Sequence, residues 1–173
     1  SVGKTTAKDM IAAVLGQKFN VHKTPGNFNN EFGLPQAVFG LTKDPTAAVF
    51  EMGMNNFGEI SRLSKVVRPD ICMILNIGVS HIGRLGSQDG ILKAKSEIFD
   101  YMKPDGKAYL NGDDPYLKKL NTPALSPVLF GRGANNHARV TEVLGADITG
   151  SRFKAEYKGQ TFDIEIPYPG AHL

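Results

Sequence analysis

The feature that most constrains the fold of this chain is the alternation of continuous apolar runs with amphipathic segments. The apolar runs predict buried strands over residues 47–53 and 71–78. Residues 107–114 predict a strand and turn, and residues 126–133 predict a further strand. The amphipathic segments predict helices over residues 7–15, after Leu34-Pro35, and over residues 58–67 and 88–102. The apolar stripe of the first helix consists of Ala7, Met10, Ile11, Val14 and Leu15. Strands alternating with helices form βαβ units, so we predict an α/β fold whose mostly parallel sheet is flanked by helices.

The pattern changes near residue 137. Segments such as SRFKAEYKG and QTFDIEIPY alternate polar and apolar residues between glycines, which predicts a small antiparallel sheet at the C-terminal end. We therefore divide the domain into an α/β core over residues 1–136 and an antiparallel β subdomain over residues 137–173. The chain begins inside a motif and ends at PGAHL, and we expect it to be a piece of a longer protein.

Bulk composition indicates an ordinary soluble domain. The 173 residues suffice for one sizeable core, and a net charge of +3 does not by itself argue for nucleic acid as a partner. The single Cys72 lies in an apolar run and is predicted to be a buried thiol. One cysteine cannot form a disulfide within the chain, and the sequence contains neither a signal peptide nor an apolar run long enough to span a membrane. Together these features predict a cytoplasmic protein without membrane insertion.

The opening SVGKTTAKDM contains the end of a P-loop directly before a helix. A glycine lets backbone N–H groups approach phosphate oxygens, and a helix N-terminus favours the anion. In this motif the lysine reaches the β- and γ-phosphates and the threonine hydroxyl binds Mg²⁺. Nucleotide contacts are predicted from Ser1, Val2, Gly3, Lys4, Thr5 and Thr6. The motif alone leaves GTPases, kinases, motors and ligases open, although the base-reading N-K-x-D of GTPases is absent.

Two further residues follow predicted strands. Glu51 lies at the end of strand 47–53, and His81 follows strand 71–78 by three residues. Ligands gather at the carboxyl ends of strands in open α/β sheets, so both residues are candidate ligands for one or two divalent cations. The alternatives are that Glu51 is a solvated strand end and that His81 is structural.

Lys95 interrupts the apolar stripe of helix 88–102. The stripe consists of Ile91, Leu92, Ile98, Phe99 and Met102. Lys95 falls on this inward face, whereas Lys93 points elsewhere. A snorkelling side chain explains the position in the simplest way. The alternative is a buried amine of lowered pKa that reacts with carbon dioxide, giving a carbamate that binds metal.

Six segments, in this order, resemble the central domain of the Mur ligases: SVGKTTAKDM, TPGNFNNEFGLP (24–35), EMGMNNFGEI (51–60), NIGVSHIGRLGS (76–87), KAKSEIF (93–99) and LNGDD (110–114). The resemblance implies an ATP-dependent amide ligase of peptidoglycan synthesis. In this family ATP phosphorylates a carboxylate of a UDP-linked peptide, and an amine then displaces phosphate from the acyl phosphate. The second segment and the stretch SHIGRLGS…KAKSEIF, from the fourth and fifth segments, resemble the members that add D-Ala-D-Ala to UDP-N-acetylmuramoyl-tripeptide. The alternative within the family is a sibling that adds a different amino acid.

The resemblance also implies roles for single residues. Lys4 and Thr5 handle the ATP phosphates and Mg²⁺, and Glu51 and His81 bind metal. Lys95 is the carbamylated lysine whose carboxylate supports a second metal. Lys4, His81 and Lys95 are the expected catalytic residues.

Asparagines form a second set of candidates. Asn27, Asn29 and Asn30 match the loop that faces nucleotide phosphate and the UDP-peptide, although asparagine also suits tight turns. Asn111 and Asp114 match a motif near the nucleotide. For Asp114 we favour a cap on the following helix.

The family has three domains, and this chain resembles the central ATPase domain without the N-terminal UDP-binding and C-terminal Rossmann-like domains. The parent enzyme is expected to act as a monomer. By itself the domain is expected to be a nucleotide-binding module, and a P-loop phosphotransferase or NTPase is the alternative from another class. Leu173 replaces the asparagine of a G-x-H-N segment, so base recognition from that segment is in doubt.

Overall fold

A computed structural model describes residues 2–167, and these divide between Lys107 and Ala108 into two compact units. The elements of the first unit are α1 (Lys4–Leu15), β1 (Val21–Lys23), α2 (Gly33–Phe39), β2 (Ala47–Val49), α3 (Glu59–Val67), β3 (Ile71–Ile74), α4 (Ile82–Leu85), α5 (Gln88–Ser96) and a 3₁₀ turn (Glu97–Phe99). They are followed by β4 (Lys107–Asn111), a 3₁₀ turn (Leu117–Leu120), β5 (Val128–Gly131), β6 (Ala138–Asp147), β7 (Gly150–Tyr157) and β8 (Gln160–Ile166). This alternation confirms a mixed α/β fold.

Strand pairing is parallel early in the chain and antiparallel late. β1 pairs with β2 in parallel, with Lys23 opposite Val49. β4, β5 and β6 are also parallel neighbours, whereas β6, β7 and β8 pair antiparallel. The antiparallel strands predicted after residue 137 are therefore present. They extend the sheet of β4 and β5 and do not form a separate sheet, because Ala138 pairs with Phe130.

Two predicted strands are shorter than their apolar runs. β2 ends at Val49 because the next inward N–H, that of Glu51, donates to the Thr24 side chain. β3 ends at Ile74, and the Asn76 carbonyl beyond it accepts from Lys95. An apolar run reports burial, whereas a strand also needs a partner for each backbone group.

The helix predicted over residues 88–102 is also shorter. α5 ends at Ser96, whose Oγ donates to the Leu92 carbonyl over 2.7 Å, and a 3₁₀ turn follows. Such back-bonding competes with the regular helix ladder. The sequence did not predict β1 or α4, which are only three and four residues long.

The buried face of α1 differs from the prediction. Val14, placed by its spacing in the apolar stripe, is 72% exposed, and the fully buried positions are Lys8 and Ala12. The buried face of α1 is therefore centred on Lys8 and Ala12 and not on the predicted apolar stripe.

A carboxylate from a distant segment caps α3. The helix starts after Gly58 without a side-chain cap of its own. Glu97 supplies one, since its carboxylate accepts from the N–H groups of Gly58 and Ser61 over 2.8 and 3.3 Å. An anion stabilises these otherwise unpaired donors at a helix N-terminus.

Cys72 is buried as predicted, and burial raises the pKa of its thiol to about 12. Across residues 2–167, no helix has the length and apolarity that a membrane crossing needs.

Candidate functional site

The segment that the sequence predicts to be the end of a P-loop leads directly into α1. Gly3 has φ of +88°, a left-handed conformation that glycine adopts without strain, and its carbonyl accepts the Ala7 N–H over 2.9 Å. The side chains of Lys4 and Thr5 therefore lie in the first turn of α1. Lys4 and Thr6 are half-buried, and Ser1 lies outside the described residues.

Glu51 is the centre of a hydrogen-bonded cluster. Its side chain is 5% exposed, which rules out the solvated strand end considered from the sequence. The Thr5 hydroxyl donates to Glu51 Oε2 over 2.8 Å, and the Asn29 amide donates to Oε1 over 2.7 Å. Thr5 and Asn29, two predicted site residues from separate segments, thus both donate to the carboxylate of a third, Glu51.

The main chain around Glu51 is also fixed. The Glu51 N–H donates to Thr24 Oγ1 over 3.0 Å, and Thr24 N–H donates to the Val49 carbonyl over 3.0 Å. The Gly53 N–H donates to the Asn29 carbonyl over 2.7 Å. A Cβ on Gly53 would lie 3.1 Å from Asn29 Oδ1, so a side chain there would crowd the asparagine. The carboxylate is therefore held by side-chain and backbone contacts together.

Lys95 is connected to the predicted P-loop segment through one residue, Asn76. Its Nζ donates to the Asn76 carbonyl, and Asn76 Nδ2 donates to the Val2 carbonyl over 3.0 Å. Lys95 is half-buried, whereas Lys93 is exposed, as the stripe predicts.

The predicted role of His81 as a metal ligand stays a prediction. His81 is exposed, has φ of +69° and directly precedes α4, whose Arg84 and Leu85 N–H groups donate to its carbonyl. Among residues 2–167 no three His, Cys, Asp or Glu side chains converge as a metal site. The oxygen atoms that meet at Glu51 include the Thr5 hydroxyl, which is not one of these four residue types.

The Thr5 and Glu51 oxygens suit Mg²⁺. This ion prefers oxygen ligands at about 2.0–2.1 Å in octahedral geometry, which places adjacent ligands about 2.9 Å apart. Thr5 Oγ1 and Glu51 Oε2 are 2.8 Å apart. The two oxygens are therefore spaced as two neighbouring ligands of such an ion would be.

The other asparagines have local roles in this structure. Asn30 Oδ1 accepts from the N–H groups of Phe32 and Gly33 at the start of α2. Asn27 is exposed, and its carbonyl accepts the Asn29 N–H. The contribution of Asn27, Asn29 and Asn30 to substrate binding stays a prediction.

The turn after β4 is built from side-chain acceptors. Asn111 Oδ1 accepts the Asp113 N–H over 2.9 Å. Asp114 Oδ1 accepts from Tyr116 and Leu117 over 2.9 and 3.0 Å, which confirms the predicted cap on the following helical turn. Asp113 lies on a cavity of about 330 Å³ in the second unit, and the predicted P-loop and metal residues are not part of its lining.

Asp113 makes this turn sensitive to acid. Burial raises the pKa of its carboxyl, but hydrogen bonds from the Arg132 and Gly133 N–H groups and the Asn136 amide outweigh burial and hold the pKa below its ordinary 3.8. The stabilisation is therefore complete above pH 3.8 and is lost as the pH falls through the lower folded-state value.

We expect Asp113→Asn to lower the free energy of unfolding at pH 7 by less than about 1 kcal/mol, because the carboxylate is solvent-exposed. The variant should also lose less stability than the unsubstituted protein between about pH 4 and pH 2. Urea unfolding across this pH range measures both effects. Asp44→Asn, at an exposed loop position, is the control. An acid dependence unchanged by Asp113→Asn would contradict the assignment.

Two residues of the site, Thr24 and Asn76, were not predicted from the sequence. Both lie inside segments quoted for the resemblance, but neither has a residue type that predicts chemistry by itself. Their place in the site depends on hydrogen bonds to residues that are distant in the sequence: Thr24 accepts from Glu51, and Asn76 donates to Val2.

Comparison with known proteins identifies the family. The sequence profile described as Mur ligase middle domain matches residues 1–173. The chain belongs to the Mur ligase family. The UDP-N-acetylmuramoyl-tripeptide–D-alanyl-D-alanine ligase of Bacillus subtilis is 43% identical over 166 residues, which are 96% of this Mur ligase domain and 36% of the relative. The ligase of the same name from Escherichia coli is 33% identical over 174 residues, covering 99% of the domain and 38% of the relative.

Solved structures of Mur ligases are similar to this domain. Crystal structure I of MurF from Acinetobacter baumannii superposes with a TM-score of 0.91 at 34% identity and covers 99% of this Mur ligase domain and 38% of that chain. MurF from Thermotoga maritima in complex with ADP has a TM-score of 0.83 at 29% identity, covering 95% of the domain and 38% of that chain. The Mur ligase domain therefore spans well under half the length of the proteins that it matches.

Proposed function

We propose that this domain is the ATPase part of an enzyme that joins D-Ala-D-Ala to UDP-N-acetylmuramoyl-tripeptide, with release of ADP and phosphate. The observation that carries the proposal is the match to ligases of this name at 33–43% identity over at least 96% of the domain. The complex of the Thermotoga maritima protein with ADP supports ATP as the nucleotide. A cytoplasmic, monomeric parent enzyme belongs to the same proposal.

The chemistry requires an activated carboxylate. An amine does not displace oxide from a carboxylate, but it does displace phosphate from an acyl phosphate. The γ-phosphoryl group of ATP passes to the peptide carboxylate in the first step. The amine of D-Ala-D-Ala attacks the acyl carbon in the second step, the resulting tetrahedral species expels phosphate, and the amine loses its proton. Catalysis of the first step depends on positioning and on neutralising phosphate charge.

Lys4 and the N–H groups at the start of α1 provide positive charge for the phosphates. Thr5 Oγ1 and Glu51 would hold Mg²⁺, which when bound neutralises charge on the phosphate oxygens. The contact between Thr5 and Glu51 supports this role, because it brings a P-loop hydroxyl to a buried carboxylate.

Lys95 and His81 complete the proposed metal site. The Lys95 ammonium first loses one proton, and the free amine then adds to the carbon of CO₂ and loses a second proton. A side chain with one positive charge is thereby replaced by a carbamate with one negative charge. The link from Lys95 through Asn76 to Val2 supports a location next to the P-loop. His81 is a candidate metal ligand, and Asn27, Asn29 and Asn30 are candidate contacts to the UDP-peptide.

The decisive experiment measures phosphate release by the complete enzyme with UDP-N-acetylmuramoyl-tripeptide and ATP. D-Ala-D-Ala should stimulate release strongly, and mass spectrometry should detect the pentapeptide product. D-Ala alone, L-Ala and D-Glu are the comparison amines. Equal stimulation by another amino acid would favour a sibling Mur ligase, and release that ignores every amine would favour a simple NTPase.

A further inference from the structure

α1 contains a buried lysine that the phosphate and metal assignments do not use. The Lys8 side chain is only 5% exposed and lies on the same face as Ala12. Its Nζ donates to the Thr24 carbonyl over 3.0 Å and to the Gly26 carbonyl over 3.3 Å. The Asp9 carboxylate lies 3.7 Å from the same nitrogen.

Burying an ammonium is costly unless its donors find partners. Here two of the partners are main-chain carbonyls of the loop that follows β1, where the chain turns through Gly26 at φ of +51°. Lys8 therefore ties this loop to α1, the helix that also carries Thr5.

Both ends of the tied segment bond to Glu51. Thr24, whose carbonyl accepts from Lys8, offers Oγ1 to the Glu51 N–H over 3.0 Å. Asn29, three residues beyond Gly26, donates its amide to Glu51 Oε1 over 2.7 Å. Movement of segment 24–29 would release the main chain and the carboxylate of Glu51 together.

We propose that Lys8 is a positioning residue for the metal-binding carboxylate. It holds segment 24–29 against α1, so that Thr24 and Asn29 keep Glu51 Oε2 opposite the Thr5 hydroxyl. Lys8 acts through this segment and does not itself contact nucleotide or metal. The inference rests on the proposed metal role of Thr5 and Glu51.

The test compares Lys8→Met with the unsubstituted complete enzyme. Methionine keeps most of the apolar stem and removes the N–H donors. The Mg²⁺ concentration for half-maximal ADP formation should rise about tenfold or more, as is usual when the support of a metal ligand is lost. The KM for ATP at saturating Mg²⁺ should stay close to its original value.

A second measurement does not need the metal. Hydrogen exchange, followed by mass spectrometry in a peptide spanning residues 50–54, should become faster in Lys8→Met, because the Glu51 and Gly53 N–H groups lose fixed acceptors. Lys23→Met is the matched control. Lys23 shares the partner Asp9, at 2.8 Å, but is exposed and is not a donor to the Thr24 or Gly26 carbonyl in this structure. Lys8→Met behaving like Lys23→Met in both measurements would overturn the proposal.

Thr24 supplies a second pair of variants should Lys8→Met not fold. Thr24→Val keeps the carbonyl that binds Lys8 and removes Oγ1, whereas Thr24→Ser keeps both. The valine variant should need more Mg²⁺ and the serine variant should not. A valine variant with the original Mg²⁺ requirement would reject the positioning path. An unsubstituted enzyme that needs no Mg²⁺ would instead reject the metal assignment itself, so the two failures are distinguishable.

Discussion

Replacing Lys95 by alanine in the complete enzyme is expected to lower ligation at least about 10³-fold. A metal ion that neutralises phosphate charge contributes several kcal/mol to the transition state, and each 1.36 kcal/mol is about tenfold in rate. The variant loses the amine on which the carbamate would form and also the hydrogen bond to the Asn76 carbonyl. Pentapeptide formation at saturating substrates measures the loss.

Two further measurements separate the carbamate from a structural role of Lys95. Formate or acetate should partly restore ligation by the alanine variant, since either supplies a carboxylate in the space left by the side chain. Added bicarbonate should not restore it, because the reactive amine is absent. Lys93→Ala, at an exposed position two residues earlier on the same helix, should be close to normal. Near-normal turnover of Lys95→Ala without added carboxylate would reject the carbamate.

Replacing Lys4 by alanine is expected to lower ADP formation by about 10²–10³-fold, the usual cost of removing one fixed group that stabilises transition-state charge. Affinity for ATP should fall as well, because the ammonium also attracts the ground-state phosphates. Steady-state ADP formation and titration with ATP measure the two effects. The exposed Lys18→Ala is the matched control, from the segment directly after α1. Unchanged ATP affinity in Lys4→Ala would argue against the P-loop assignment.

Motifs with a fixed local geometry were predictable from the sequence. Gly3 precedes a helix in the sequence and lies at its N-terminus in the structure, in the left-handed conformation that suits glycine. Asp114 caps the turn that follows it, because an Asx side chain reaches N–H groups two and three residues ahead. Such features depend on neighbours in the chain, so local sequence is sufficient.

Lys8 and Lys95 show where periodicity succeeds and where it fails. Both lysines lie on the buried side of a helix, but the spacing of apolar residues predicts an inward position only for Lys95. The stripe of α1 was centred on residues that include Val14, so Lys8 was not seen as inward-facing. Small errors in the centre of a stripe matter, because successive helical residues are 100° apart.

By itself, the sequence determined the mixed α/β fold, the Mur ligase family and the residue types available for phosphate and metal. The tertiary structure decided which of these residues meet. Asn29 is a contact of Glu51 here, and Thr24 and Asn76 join the site, because loops that are 22 to 74 residues from their partners in sequence fold onto them. Hydrogen bonds between distant segments leave no periodic pattern in the sequence, so only the folded chain reveals them.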